Sequence, residues 1–240
     1  SNYTIEAWIN VIDASNNTII DKGDYRFLFQ THTNNTPGLG FYRANVGWIY
    51  SAGSIPINEW VHVAVSVAND GTVKFYKNGQ LLSSHQTALG GADNGDVNIG
   101  RQSPDTCACN LANGSYDEIR IWGSVRSQEQ IVAYHEKMIS PNTPGLLAYW
   151  KFNETDGANV ADSSPKANHG TIMGAATRVA SEAPVEEAAN HAPVAADLTF
   201  ETNSSHQVLV QFNATDPDGD SLAFNIVANP QHGQISLLSI

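Results

Sequence analysis

Val61-His-Val-Ala-Val-Ser-Val67 alternates strictly, with valines at the odd positions and His62, Ala64 and Ser66 between them, so one face of an extended chain here is built for a core. Thr72-Val-Lys-Phe-Tyr76 follows. Lys77-Asn78-Gly79-Gln80 then leads to Leu81-Leu82, and Asn-Gly supplies the positive φ angles that a two-residue hairpin turn demands. Upstream, Tyr3–Ile9, Tyr25–Phe29 and Leu39–Tyr42 are shorter strand candidates rich in aromatic and β-branched residues. Up to about residue 125, short alternating segments separated by Gly, Asn and Asp clusters predict an all-β sandwich.

One helix interrupts the strands. Ser127 followed three residues later by Gln130 is a capping box, and Gln128 to Met138 runs without glycine or proline. Beyond Pro141 and Pro144 the strand pattern resumes at Leu146–Phe152, which predicts a sandwich spanning 1–180. Residues 181–193 are acidic, small and punctuated by proline, the composition of an extended linker. In 194–240, Gln207–Phe212 and Ser221–Val227 read as two alternating strands of a module too short for a complete second sandwich.

The formal net charge of −12, from 24 acidic and 12 basic side chains, opposes a nucleic-acid or anionic-membrane partner and makes cations the natural small partners. No apolar run reaches the ~20 residues of a membrane helix, so no membrane insertion is expected. Seven Asn-x-Ser/Thr sequons suit an exported protein, although Asn-rich loops also generate them by chance. Cys107 and Cys109 are the only cysteines; a tight local disulfide and a pair of reduced surface thiols both fit their spacing.

Tyr3–Ile9 (YTIEAWI), Glu59–Val67 with Val73–Leu82, Val97–Arg101 (VNIGR), and Asn113–Trp122 with Arg126–Ile131 occur in an order that resembles laminin-G-like, concanavalin-A-like lectin modules. Leu147–Gly174 resembles a strand and loop element that recurs with such modules. The resemblance implies an all-β jelly-roll sandwich with one short helix. Residues 190–240 resemble bacterial immunoglobulin-like or cadherin-like repeats through Asn190–Ala195, Ala214–Leu222 and Asn229–Ser236, which implies a partial immunoglobulin-like sandwich and calcium-rigidified spacing.

Asp216, Asp218 and Asp220 place three carboxylates at alternate positions around a glycine, a donor spacing that suits Ca2+; a solvated acidic turn is the plainer alternative. Uniform alternation puts Asp117 on the side of Ile119 and Ile121, where a carboxylate entering a core needs a cation or backbone N–H groups, unless it caps a turn at the strand start. Asp162 and Asn168 lie in a loop that, by the resemblance, helps hold a structural calcium, and Asp105 completes that set. Tyr42, Arg43, Trp48 and Tyr50 fall in a Gly/Asn-rich region and form the candidate sugar platform, with core packing the competing role for Trp48. Trp8, Trp60 and Trp122 sit in regular strands and read as core.

No Glu-x-Asp-x-x-Glu strand, Gly-x-Ser-x-Gly turn or Gly-rich phosphate loop occurs, and His135-Glu136 lacks the second histidine of a zinc protease because Ile139 stands there. The sequence therefore points to a non-catalytic carbohydrate-binding or adhesion module of a larger secreted or surface bacterial protein. Its expected partners are a glycan or surface protein and other domains of the same parent chain. The alternatives are a spacer or assembly subunit of a surface appendage, and an accessory domain of a polysaccharide-degrading enzyme.

Overall fold

The computed structural model describes residues 2–23, 27–32, 38–88, 95–102, 111–186, 192–199, 201, 208–210, 214–216, 222–232 and 234–235. The chain divides into two compact units, Ser1–Glu187 and Ala188–Ile240. The first contains β1 Tyr3–Val11, β2 Thr18–Lys22, β3 Phe27–His32, β4 Gly38–Arg43, β5 Gly47–Tyr50, β6 Val61–Val67, β7 Thr72–Lys77, β8 Gln80–Gln86, β9 Val97–Ile99, β10 Gly114–Trp122, α1 Gln128–Tyr134, β11 Leu146–Trp150, β12 Asn159–Val160 and β13 Gly170–Thr171.

Two antiparallel sheets carry this unit, a six-stranded one in the order β11-β10-β1-β6-β7-β8 and a five-stranded one in the order β5-β4-β3-β2-β9. Ile5, Ala7 and Ile9 of β1, the four valines of β6, Val73 and Phe75 of β7, and Phe29, Leu39, Phe41 and Ile49 of the smaller sheet form one buried cluster between them. The expected hairpin is present as β7 and β8, and its turn has Asn78 at φ +46° and Gly79 at φ +74°. Gly79 has a second reason to be glycine, since a Cβ there would lie 2.6 Å from Val132 Cγ2 of α1.

All seven residues of β6 are buried, not the valines alone. The other face of the large sheet is covered by α1 and the chain that follows it, and that second layer is polar. Glu6, His62, Glu118, Arg120, Trp122 and Tyr149 are all buried there. Arg120 Nη2 donates to Glu118 Oε2 at 2.6 Å, Trp122 Nε1 donates to Glu6 Oε1 at 2.9 Å, and the Tyr149 hydroxyl donates to Glu118. Paired and hydrogen-bonded in this way, the charges tolerate burial.

The same layer explains where α1 stops. The Ser127–Gln130 capping box forms as expected, but the helix ends at Tyr134 rather than near Met138. A helix end leaves carbonyls without intrahelical partners. Here side chains of the sheet take them: Arg120 donates to Tyr134 O at 2.9 Å and Lys137 O at 2.6 Å, and Trp8 Nε1 donates to His135 O at 2.6 Å. The chain then runs extended, and Lys137 bridges Glu186 in parallel. Residues 181–186, inside the stretch expected to be a free linker, are thus tied to the first unit, with backbone bonds from Met138 N to Glu186 O and from Glu186 N to Glu136 O.

In the second unit, β14 Val194–Ala195 pairs with β15 Ala214–Thr215. The described parts of the two expected strands, 208–210 and 222–227, carry no regular strand. Leu209 is 83% and Val227 100% exposed, so their apolar alternation meets no opposing layer within this unit's described residues.

Candidate functional site

β5 is one edge of the smaller sheet and β8 one edge of the larger, and they meet along one side of the sandwich. There Ala52 N donates to Ser83 Oγ at 3.2 Å, and Lys77 Nζ donates to Ser54 O at 2.9 Å. An open depression of about 600 Å3 lies between them, with Asn45, Val46, Trp48, Ile49 and Tyr50 on one wall and His85, Gln86, Thr87 and Ala88 on the other.

Strand alternation turns Ile49 into the core and Trp48 and Tyr50 outward, 37% and 40% exposed. Their rings are parallel within 5° with centroids 5.8 Å apart, and Tyr42, opposite Trp48 in the ladder, meets it edge-on at 5.4 Å. The position opposite Tyr50 is Gly40. A Cβ at Gly40 would stand 3.3 Å from Trp48 Cζ3 and from Tyr50 Cδ1 and Cε1, so its missing side chain lets both rings lie against β4. Exposed ring faces beside amide and hydroxyl groups are the arrangement that packs on the C–H face of a sugar.

Three of the four residues expected to form the platform, Tyr42, Trp48 and Tyr50, come together. Arg43 does not join them. It is 5% exposed, on the core side of β4, and its Nη1 donates to Thr87 Oγ1 at 3.3 Å and Ala88 O at 3.2 Å. Arg43 therefore holds the second wall in place from beneath. That wall is also tied to the β6–β7 turn: Thr87 N and Oγ1 both donate to Gly71 O, and Gln86 Nε2 donates to Asp70 O at 2.6 Å. The sequence gives no sign of His85–Ala88 as a wall, because the contact joins two sheet edges that are about forty residues apart in the chain.

Two of the first-unit carboxylates named as calcium candidates, Asp162 and Asp117, accept hydrogen bonds from protein donors. Asp162 accepts from Tyr149 N and Ser164 N through Oδ1 and from Ser164 Oγ and Asn168 N through Oδ2, all at 2.8–2.9 Å. Asn168 itself donates to Leu147 O and accepts from Trp150 Nε1. Four donors aimed at one carboxylate are the complement of an anion.

Asp117 lies on the opposite face of β10 from the one that uniform alternation assigns to it. β10 takes three residues where β1 takes two, Glu6 pairing with Arg120 and Trp8 with Asp117, and the extra residue Glu118 has φ +50°. Such a bulge shifts the phase of alternation. Asp117 therefore lies on the side of Trp8, away from Ile119, where it accepts from Glu118 N at 2.8 Å and from the Ser181 hydroxyl. Among the described residues, no three His, Cys, Asp or Glu side chains converge as a metal site requires. Asp105, Cys107, Cys109, Asp218 and Asp220 lie outside the described residues; Asp216 follows β15 and is half-buried.

Residues 1–132 match the family model described as the concanavalin A-like lectin/glucanases superfamily. The chain belongs to that superfamily. Residues 190–239 of this superfamily member match the model of a bacterial Ig domain. Among solved structures, a candidate carbohydrate-binding protein of Bacteroides ovatus aligns with a TM-score of 0.63 at 24% identity, over 72% of this chain and 52% of that one. The chain thus spans about half the length of that relative, and the likeness establishes the shared fold. Domain 4 of an extracellular arabinanase of Geobacillus stearothermophilus, solved with arabinotriose, aligns at 21% identity over 55% of this chain and 65% of that one, with a TM-score of 0.45. The CBM40 domain of a Ruminococcus gnavus sialidase, solved with sialyllactose, aligns at 15% identity over 55% and 81% of the two chains, with a TM-score of 0.43. No curated protein matches the chain. Among the described residues, no helix is long and apolar enough to cross a membrane.

Proposed function

We propose that this lectin-like sandwich binds carbohydrate in the cleft between β5 and β8, as a non-catalytic recognition or adhesion module of a larger exported or surface bacterial protein. The observation that carries the reading is the pair of parallel, solvent-facing rings of Trp48 and Tyr50 laid over Gly40 beside a polar wall. The buried carboxylates Glu6 and Glu118 are engaged by Trp122, Arg120 and Tyr149, which supports a binding rather than a hydrolytic role for the sandwich. Trp48→Ala and Tyr50→Ala test it: both are expected to keep the wild-type melting temperature within a few degrees while abolishing retention on a glycan array. Unchanged retention in both variants would remove the cleft from consideration.

A spacer role is the second reading. It is favoured by the match of residues 190–239 to a bacterial Ig domain and by the docking of residues 181–186 on the sandwich. In that unit Asp216, Asp218 and Asp220 are proposed calcium ligands on the strength of their spacing.

A further inference from the structure

Resting on the carbohydrate reading of the β5–β8 cleft, we infer that the site takes uncharged sugar units and discriminates against sugars bearing carboxylate or sulfate. The described lining consists of the rings of Trp48 and Tyr50, the apolar Val46, Ile49 and Ala88, and the polar Asn45, His85, Gln86 and Thr87, with no Lys, Arg, Asp or Glu among them. An anion set down on such a surface loses water and gains no charged partner, a loss that uncharged hydroxyls do not suffer to the same degree.

Arg43, whose guanidinium reaches the Thr87–Ala88 wall, does not supply that partner. It lies under the lining with Nη1 engaged by Thr87 Oγ1 and Ala88 O. A bidentate grip on a sugar carboxylate requires the planar fork to be presented to the ligand. To present it, Arg43 would have to leave the core side of β4 and release the wall that shapes the cleft. His85 is likewise committed, with Nε2 at 3.0 Å from Ser83 Oγ and its ring edge-on to Phe75. In sequence, the six residues after Ala88 contain Asp93 and no Lys or Arg. The net charge of −12 acts in the same direction at low ionic strength.

The test is an array of neutral pentose and hexose oligosaccharides printed beside uronate, sialylated and sulfated counterparts, probed with the full chain and with Trp48→Ala. Hits are then titrated by calorimetry at two salt concentrations. Retention of neutral sugars that Trp48→Ala abolishes, with charged counterparts weaker by about tenfold or more, is the expected result. Charged sugars bound as tightly as neutral ones, or tighter, in a Trp48-dependent manner would overturn the charge selectivity and leave the cleft standing. Binding that ignores Trp48→Ala, or no binding to any printed sugar, would overturn the cleft itself and this inference with it.

Discussion

Trp122 Nε1 donates to Glu6 Oε1 at 2.9 Å, joining two strands 116 residues apart beneath α1. Glu6 also lies 3.5 Å from Arg120 Nη1 and 3.5 Å from His62 Nε2, all of them buried. Removing the carboxylate in Glu6→Ala leaves the indole N–H without its acceptor and Arg120 with one carboxylate fewer. The expected loss is about 3–5 kcal/mol of stability, because a buried charge that has lost its partner is far costlier than the pair was beneficial. Glu6→Gln, which keeps an acceptor for Trp122, should lose only about 1–3 kcal/mol. Urea unfolding of both variants checks the order; equal losses would show that the charge rather than the hydrogen bond dominates.

His62 adds a pH dependence with a definite sign. Burial against the rings of Trp8 and His135 lowers its pKa below the usual 6.5, Glu6 opposes that shift, and Arg120 and His135 reinforce it. The unfolded chain therefore binds the proton more readily than the folded one. The contribution is fully present above pH 6.5 and is lost as pH falls below it. Glu6 acts lower down. Burial alone would raise it, but His62, Arg120 and Trp122 bring it to about 2, so its contribution is lost between about pH 4.5 and 2. Glu118 works the other way, since burial raises it despite Arg120 and Tyr149, and protonation there favours the fold. The expected outcome is that the melting temperature falls less from pH 7.5 to 5.5 in His62→Gln than in the wild type. Parallel curves would exclude His62 as the source.

Gly40 offers a way to disturb the cleft without deleting any group that lines it. Its φ is not in the left-handed region, so the backbone accepts alanine, but the new methyl sits 3.3 Å from both Trp48 and Tyr50. Those rings are exposed and can lift off β4, which keeps the fold cost of Gly40→Ala below about 1 kcal/mol. The platform they form is lost in the process. Sugar binding is expected to weaken about tenfold with a nearly unchanged thermal midpoint. A variant that binds as well as the wild type would show that the rings do not need to lie flat.

Much of the sandwich was readable from local chemistry. The Val61–Val67 alternation, the Asn78-Gly79 turn and the Ser127–Gln130 box each depend on neighbours within a few residues, and each is present. The misplacements have a common origin in long-range contacts. Periodicity put Asp117 beside Ile119, but the bulge at Glu118 reversed it. Propensity carried the helix to Met138, but Arg120 and Trp8 took its last carbonyls. Arg43 falls in the same Gly/Asn-rich region as the three rings, and local sequence does not separate it from them. Its burial depends on Thr87 and Ala88, which approach only when the two sheet edges meet.

Calcium is expected to act on the second unit alone. Asp162 and Asp117 of the first unit already receive protein donors, whereas Asp216, Asp218 and Asp220 keep the alternate spacing of hard oxygen ligands. All five tryptophans, Trp8, Trp48, Trp60, Trp122 and Trp150, belong to the first unit, so indole fluorescence reports on that unit only. An ion that binds only the folded state must raise the midpoint of the unit holding it. The fluorescence melting curve should therefore be the same in calcium and in EDTA, while calorimetry shows a further transition that calcium raises and Asp218→Asn abolishes. A calcium-dependent shift in the fluorescence curve would place an ion in the sandwich after all, at ligands other than the occupied carboxylates of Asp117 and Asp162.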